Sequence, residues 1–301
     1  MSEPTLHHVT CPDAANGHRM AYWQWGAADA PHVVVCAHGL SRQGRDFDVL
    51  AQALVQRGGA GVRVVCPDVV GRGQSDWLQD PQGYQIPQYA ADMLAMLAQI
   101  RPQTLDWVGT SMGGLIGLGV CAHATSVGLS VRRLVLNDVG PVIQWNALVR
   151  IGAYLGKFMR FPSLEAAAQA MWSVSTGFGP HTPEQWLALS RPMVKAAPDG
   201  DGVVLHYDPA IAVPLAAMTH DMAVQGEAMA WQLYDSVQAQ TLLLRGADSD
   251  LLLAQTAQEM TRRGPRARLV EFAGVGHAPT LVAPDQVRAV VDFLLEGPGP
   301  A

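Results

Sequence analysis

Short runs of consecutive apolar residues alternate, over most of the chain, with segments whose apolar residues recur every three or four positions. The runs are His32-Val33-Val34-Val35-Cys36-Ala37, Val62-Arg63-Val64-Val65-Cys66, Thr104-Leu105-Asp106-Trp107-Val108, Val131-Arg132-Arg133-Leu134-Val135-Leu136, Thr241-Leu242-Leu243-Leu244 and residues 267–272. Being apolar at successive positions, they fit strands covered on both faces. Helical spacing marks residues 47–54, 89–100, 114–121, 253–262 and 285–295. Strands alternating with helices predict an α/β fold, a parallel sheet with helices on both sides. Ahead of this pattern, residues 6–10 and 18–25 alternate polar with apolar residues around Ala14-Ala15-Asn16-Gly17, which predicts an antiparallel hairpin at a sheet edge.

The rhythm breaks between Pro141 and Gln238. Helical patterns occupy 147–158, 164–174, 183–189 and 227–233, and no buried strand is expected among them. The expected organisation is therefore a core of residues 1–140 and 238–301 with a helical cap, 141–237, inserted between two strands of one sheet. The cap's large apolar residues, Trp145, Met159, Trp172, Trp186, Met218, Met222 and Trp231, are candidates either to line a pocket for an apolar acyl or ring group or to form the cap's own core.

One turn carries chemistry. Gly109-Thr110-Ser111-Met112-Gly113 lies between an expected strand and an expected helix. Without a Cβ on either glycine, the chain can reverse within a few residues and push the serine hydroxyl out of the sheet. The amide of Met112 and the positive end of the helix dipole then lie where an oxyanion would develop. A serine needs a base, and Gly274-Val275-Gly276-His277 follows the last expected strand, in a loop returning to the same edge. His38 and Asp138 also follow strands and are expected at that edge, where ligands of such sheets bind.

Taken together, Ala37-His38-Gly39-Leu40, the D-x-x-G-x-G-x-S turn from Asp68 to Ser75, Gly109 to Gly113 and Gly276-His277 give a chain that resembles the α/β-hydrolase superfamily over nearly its whole length. The resemblance implies a nucleophile at Ser111, a base at His277 and oxyanion amides from Leu40 and Met112. It implies no cofactor and no metal. A serine nucleophile disfavours the branches that need a carboxylate there. The acid departs from the common pattern, because Ser249 occupies the position where most relatives carry it. Asp250 and Asp138 are the two main candidates, with Asp248 behind them; the bland alternatives are a helix cap or hinge for Asp138 and a turn residue for Asp248. Arg42 and Trp145 are candidate substrate-binding residues, although for Arg42 a surface or structural salt bridge with Asp46 is the favoured reading.

Composition narrows the reading further. A formal charge of −6 without a basic cluster argues against nucleic acid. Neither a leader nor an apolar run of membrane-spanning length is read, so a cytoplasmic location and no membrane partner are expected. Cys11, Cys36, Cys66 and Cys121 lack metal or redox spacing and are expected as reduced, mostly buried thiols. The expected activity is cleavage of a small carboxylic ester or lactone through an acyl-enzyme. Alternatives on the same scaffold are a C–C bond hydrolase, with Arg42 or Arg150 holding a substrate carboxylate, and a non-catalytic ligand receptor.

Overall fold

A central sheet runs through the computed structural model, whose described residues are 3–15 and 17–295. Its strands are β1 (Thr5–Cys11), β2 (His18–Trp25), β3 (His32–Ala37), β4 (Val62–Asp68), β5 (Thr104–Thr110) and β6 (Val131–Asn137). After three short strands outside this sheet, β7 (Arg160–Phe161), β8 (Val194–Ala196) and β9 (Val203–Leu205), it continues with β10 (Gln240–Gly246) and β11 (Arg268–Phe272). The spatial order is β1-β2-β4-β3-β5-β6-β10-β11. The expected hairpin at 6–10 and 18–25 is present as β1 and β2, and β2 pairs antiparallel with β4. From β4 onward all pairings are parallel. Asn16 of the expected hairpin turn lies outside the described residues.

Period-two geometry explains why these strands read as continuous apolar runs. Val33 and Val35 of β3, Trp107, Leu134, Leu136 and Leu243 belong to one face. Val34, Cys36, Val64, Cys66, Val108, Val135, Leu242 and Leu244 belong to the other. Helices cover both faces. α1 (Asp48–Gly58) buries Leu50, Ala51 and Leu54 on the second face, whereas α2 (Ile86–Ile100) buries Met93, Met96 and Leu97 on the first, joined there by α3 (Met112–His123).

Between β6 and β10 the chain forms α4 (Trp145–Gly152), α5 (Leu164–Ser173), α6 (Pro183–Ser190), α7 (Val213–Ala216) and α8 (His220–Ser236). Side-chain caps start several of them: Ser163 accepts from the Ala166 amide, Thr182 and Gln185 form a reciprocal capping box, and Thr219 accepts from the Met222 amide. α9 (Ala254–Met260) and α10 (Pro284–Leu295) complete the layers. Where no buried strand is expected, the region carries a small, largely unburied antiparallel sheet in the order β7-β9-β8. Strands of two or three residues are too short to display an alternation. The helix expected at 227–233 begins seven residues earlier, because the first turns of α8 expose Met222 and Val224 instead of burying a stripe.

Several hydrogen bonds fasten this inserted segment to the sheet's carboxyl edge. Gly73 N–H donates to His206 O (3.0 Å) and Asp208 N–H to Gly71 O (2.7 Å), while the Tyr84 hydroxyl donates to the Asp208 carboxylate (2.6 Å). Among the described residues no helix is long and apolar enough to cross a membrane.

At the start of β2, buried His18 bridges the hairpin to α2. Its Nδ1 is 3.0 Å from Asp13 Oδ2 and its Nε2 is 2.9 Å from Asp92 Oδ2. Burial opposes the imidazolium, but Asp92 and Asp13 outweigh it and raise the His18 pKa. A raised histidine stabilises the fold fully below its ordinary value of about 6.5, and that contribution is lost as pH rises through the folded-state value. Thermal unfolding followed from pH 6 to 9 is therefore expected to show a decline in Tm in the native chain that is flattened in His18→Gln; an unchanged profile in the variant would refute the assignment.

Candidate active site

The serine turn is built by close approach. A Cβ on Gly109 would stand 2.3 Å from Gly113 O, and one on Gly113 only 2.0 Å from Ala37 O. One turn further along α3, a Cβ on Gly117 would meet Trp107 Nε1 at 2.5 Å. Helical glycine costs about 0.5–1 kcal/mol relative to alanine. These glycines are tolerated because α3 sits where no side chain fits between it and β3 and β5. Trp107 secures the arrangement by donating its indole N–H to Gly113 O (3.0 Å). Ser111 takes φ 52° and ψ −117°, a conformation that a non-glycine residue holds only under constraint from its surroundings.

His277 and Asp138 complete a hydrogen-bonded chain with Ser111. His277 Nε2 lies 2.9 Å from Ser111 Oγ, and His277 Nδ1 lies 2.7 Å from Asp138 Oδ2. Chemistry fixes the protons: Nδ1–H donates to the carboxylate, leaving Nε2 to accept the serine proton. Asp138 is fully buried and also accepts from the Gly246 amide (2.8 Å) and the Ser249 hydroxyl (2.6 Å). It stands at φ 55°, which aspartate tolerates better than most residues. Neighbouring Asn137 donates to both Thr110 Oγ1 (2.9 Å) and Pro279 O (2.8 Å), tying the histidine loop to the end of β5.

Of the acid candidates, the structure brings only Asp138 to the histidine. Asp250 points away and forms a two-pronged ion pair with Arg150 of α4, Nε–Oδ2 at 3.0 Å and Nη2–Oδ1 at 2.9 Å. The cause is a tight turn in which Ser249 N–H returns to Gly246 O (3.0 Å), so that residue 249 faces inward and residue 250 outward. Asp248, which donates its amide to Val275 O, is exposed. Sequence reading noted Ser249 only as a missing acid; here its hydroxyl donates to Asp138 while accepting the amides of Leu251 (3.3 Å) and Leu252 (3.2 Å).

The loop after β3 lies against the serine, with an added Cβ on Gly39 standing 3.8 Å from Ser111 Cβ. His38 organises this loop. Its Nε2 accepts from Val69 N–H (2.9 Å) and its Nδ1–H donates to Gly39 O (2.7 Å), which also accepts from Arg42 N–H (3.1 Å). Complete burial lowers the His38 pKa to about 3, so the ring is neutral and both nitrogens are committed to the backbone. With Gly39 O held on one side of the Gly39–Leu40 peptide, the Leu40 amide faces the other way. The Met112 amide is the first of α3, where helix geometry supplies no acceptor.

Arg42 is engaged with protein. It forms a bidentate pair with Asp46 (2.6 and 2.7 Å) and donates to Leu189 O of α6 (3.2 Å). With Arg42 and Arg150 both paired, neither cation proposed for a carboxylate substrate is free. Trp145 is partly exposed at the start of α4, edge-on to His220 at 5.6 Å. Trp172 and Trp186 instead pack on each other at 5.0 Å, and the Trp186 indole donates to Ala168 O (2.7 Å), which places them in the inserted segment's own core. That segment also reaches the histidine loop directly, since Gly276 N–H donates to Gly177 O (2.5 Å).

This combination of sheet, strained serine turn and histidine loop defines a class, and the profile of the alpha/beta hydrolase family matches residues 34–290. The chain belongs to that family. It is 46% identical over 294 residues to a 3-hydroxybutyrate-oligomer hydrolase of Cupriavidus necator, covering 97% of this chain and 98% of that protein. An esterase of Mycobacterium tuberculosis is 28% identical, covering 90% and 83% respectively. Among solved structures, an alpha/beta hydrolase of Novosphingobium aromaticivorans superposes with a TM-score of 0.82 at 32% identity, covering 98% of this chain and 99% of that one.

If Asp138 orients His277, Asp138→Asn should slow ester turnover by about 10³–10⁴-fold, the scale of loss seen when a triad acid is neutralised. Asp250→Asn should stay within about threefold, the scale of an exposed ion pair. Steady-state assays of both purified variants check this, and the reverse ranking would return the role to Asp250.

Proposed function

We propose that this chain is a serine hydrolase that cleaves carboxylic esters or lactones through an acyl-enzyme on Ser111. The observation that carries the reading is the continuous Ser111–His277–Asp138 chain at 2.9 and 2.7 Å. In this mechanism His277 Nε2 accepts the hydroxyl proton as Ser111 Oγ bonds to the substrate carbonyl carbon. The amides of Leu40 and Met112 hold the resulting oxyanion. Collapse breaks the carbon–oxygen bond to the leaving alcohol, which takes the proton from His277. A water deprotonated by the same nitrogen then attacks the acyl carbon, releasing the carboxylic acid and returning the proton to Ser111. Asp138 keeps the imidazole in the required tautomer and stabilises its cation.

The likeness to the Cupriavidus protein supports short 3-hydroxybutyrate oligomers as the substrate class. Such a molecule is a chain of carboxylic esters, which the same serine chemistry would cut. Residues 141–237 serve in this reading as a cap over the sheet edge, with Trp145 at its rim.

Incubation with a fluorophosphonate should add one adduct mass to the native protein and none to Ser111→Ala. The same variant should lose turnover of 3-hydroxybutyrate dimers and trimers by about 10⁴-fold or more. Intact-mass spectrometry and product titration read the two results; wild-type turnover in Ser111→Ala would end the proposal.

A further inference from the structure

Arg72 is an unusual cation. It is fully buried, yet among the described residues no carboxylate lies within ion-pair distance of it. A buried charge without a partner costs several kcal/mol in general, so its hydrogen bonds must compensate. Each goes to a structurally placed group. Nε donates to Leu40 O (2.9 Å), and Nη1 donates to Val70 O (2.7 Å) and to the Tyr89 hydroxyl (3.0 Å). Nη2 lies 3.7 Å from Met112 Sδ. The ring of Tyr89 flanks the guanidinium at 5.0 Å and that of Tyr84 at 5.8 Å, which adds cation–π stabilisation.

Nε touches Leu40 at its carbonyl and Nη2 touches Met112 at its thioether, and these are the two residues whose amides are expected to hold the oxyanion. They lie 72 positions apart in sequence, on the β3 loop and on α3, and the planar fork of Arg72 spans them. His38 and the Arg42 amide fix the peptide before Leu40; Arg72 fixes the peptide after it. The turn carrying Arg72 is itself pinned, since Arg72 and Tyr207 form an antiparallel bridge and Gly73 N–H donates to His206 O.

We propose that Arg72 is a positioning residue of the oxyanion site: its fork sets the Leu40 and Met112 amides in register, and its unpaired charge favours the negative oxygen formed between them. The proposal rests on the ester chemistry proposed above. A lysine keeps the charge but cannot span both residues, and a methionine keeps neither the charge nor the hydrogen bonds.

The test compares the native protein with Arg72→Lys and Arg72→Met, each checked for folding by circular dichroism and thermal unfolding. Steady-state kinetics on one ester are measured beside inhibition by a trifluoromethyl ketone, which forms an oxyanionic adduct with an activated serine. Removal of a single oxyanion donor costs about 10²–10³ in kcat. Arg72→Met should lose kcat on about that scale with KM within about threefold, and its trifluoromethyl ketone affinity should fall in parallel. Arg72→Lys should fall about tenfold in both, a partial loss on the same scale. If the methionine variant does not fold, the lysine variant decides alone: native kcat in it overturns the proposal. A kcat loss without loss of ketone affinity also overturns it, by marking a general structural role. Fluorophosphonate labelling of native Ser111 is the control, since failure there refutes the ester chemistry and not the role of Arg72.

Discussion

The whole arrangement depends on how closely helix α3 approaches the sheet. At Gly113 the helix backbone lies so near the carbonyl of Ala37 that a single methyl group would occupy the same space. That approach forces the chain to turn abruptly at Ser111 and leaves its hydroxyl standing above the sheet edge. It also sets the first amide of the helix beside the loop that follows β3. The close approach goes together with the strained conformation of the serine, φ 52° and ψ −117°.

Parallel topology then gathers what the chain keeps apart. Asp138 lies 139 positions from His277, and His277 lies 166 from Ser111. They follow β5, β6 and β11, whose common direction brings their carboxyl ends to one edge. The remaining polar groups at that edge are spent on holding loops. Asn137 ties the histidine loop to β5, and Ser249 holds the buried carboxylate. His38, neutral because it is buried, holds the loop after β3.

The sheet, the serine turn and the histidine loop were legible because each is written locally, as an apolar run or a glycine spacing within a few residues. Which carboxylate meets His277 was not. Asp138 and Asp250 both follow sheet strands, and a one-residue difference in the direction of a tight turn decides which carboxylate faces inward. Nothing in the local sequence around Ser249 records that direction. Arg42 was ambiguous for a related reason: its four-residue spacing to Asp46 fits an ion pair, while the bond from its guanidinium to Leu189 joins segments 147 positions apart. The small β7-β9-β8 sheet escaped notice because its strands are shorter than one full alternation.

The bond between Gly276 and Gly177 joins two parts of the molecule that lie 99 positions apart. Gly276 immediately precedes the histidine, and Gly177 belongs to the segment inserted between β6 and β10. Any excursion that lifts this part of the inserted segment must first release the peptide adjoining the base. The backbone beside His277 is thus held from two sides, by Asn137 through Pro279 and by the inserted segment through Gly177, so its placement depends on a region far away in the chain.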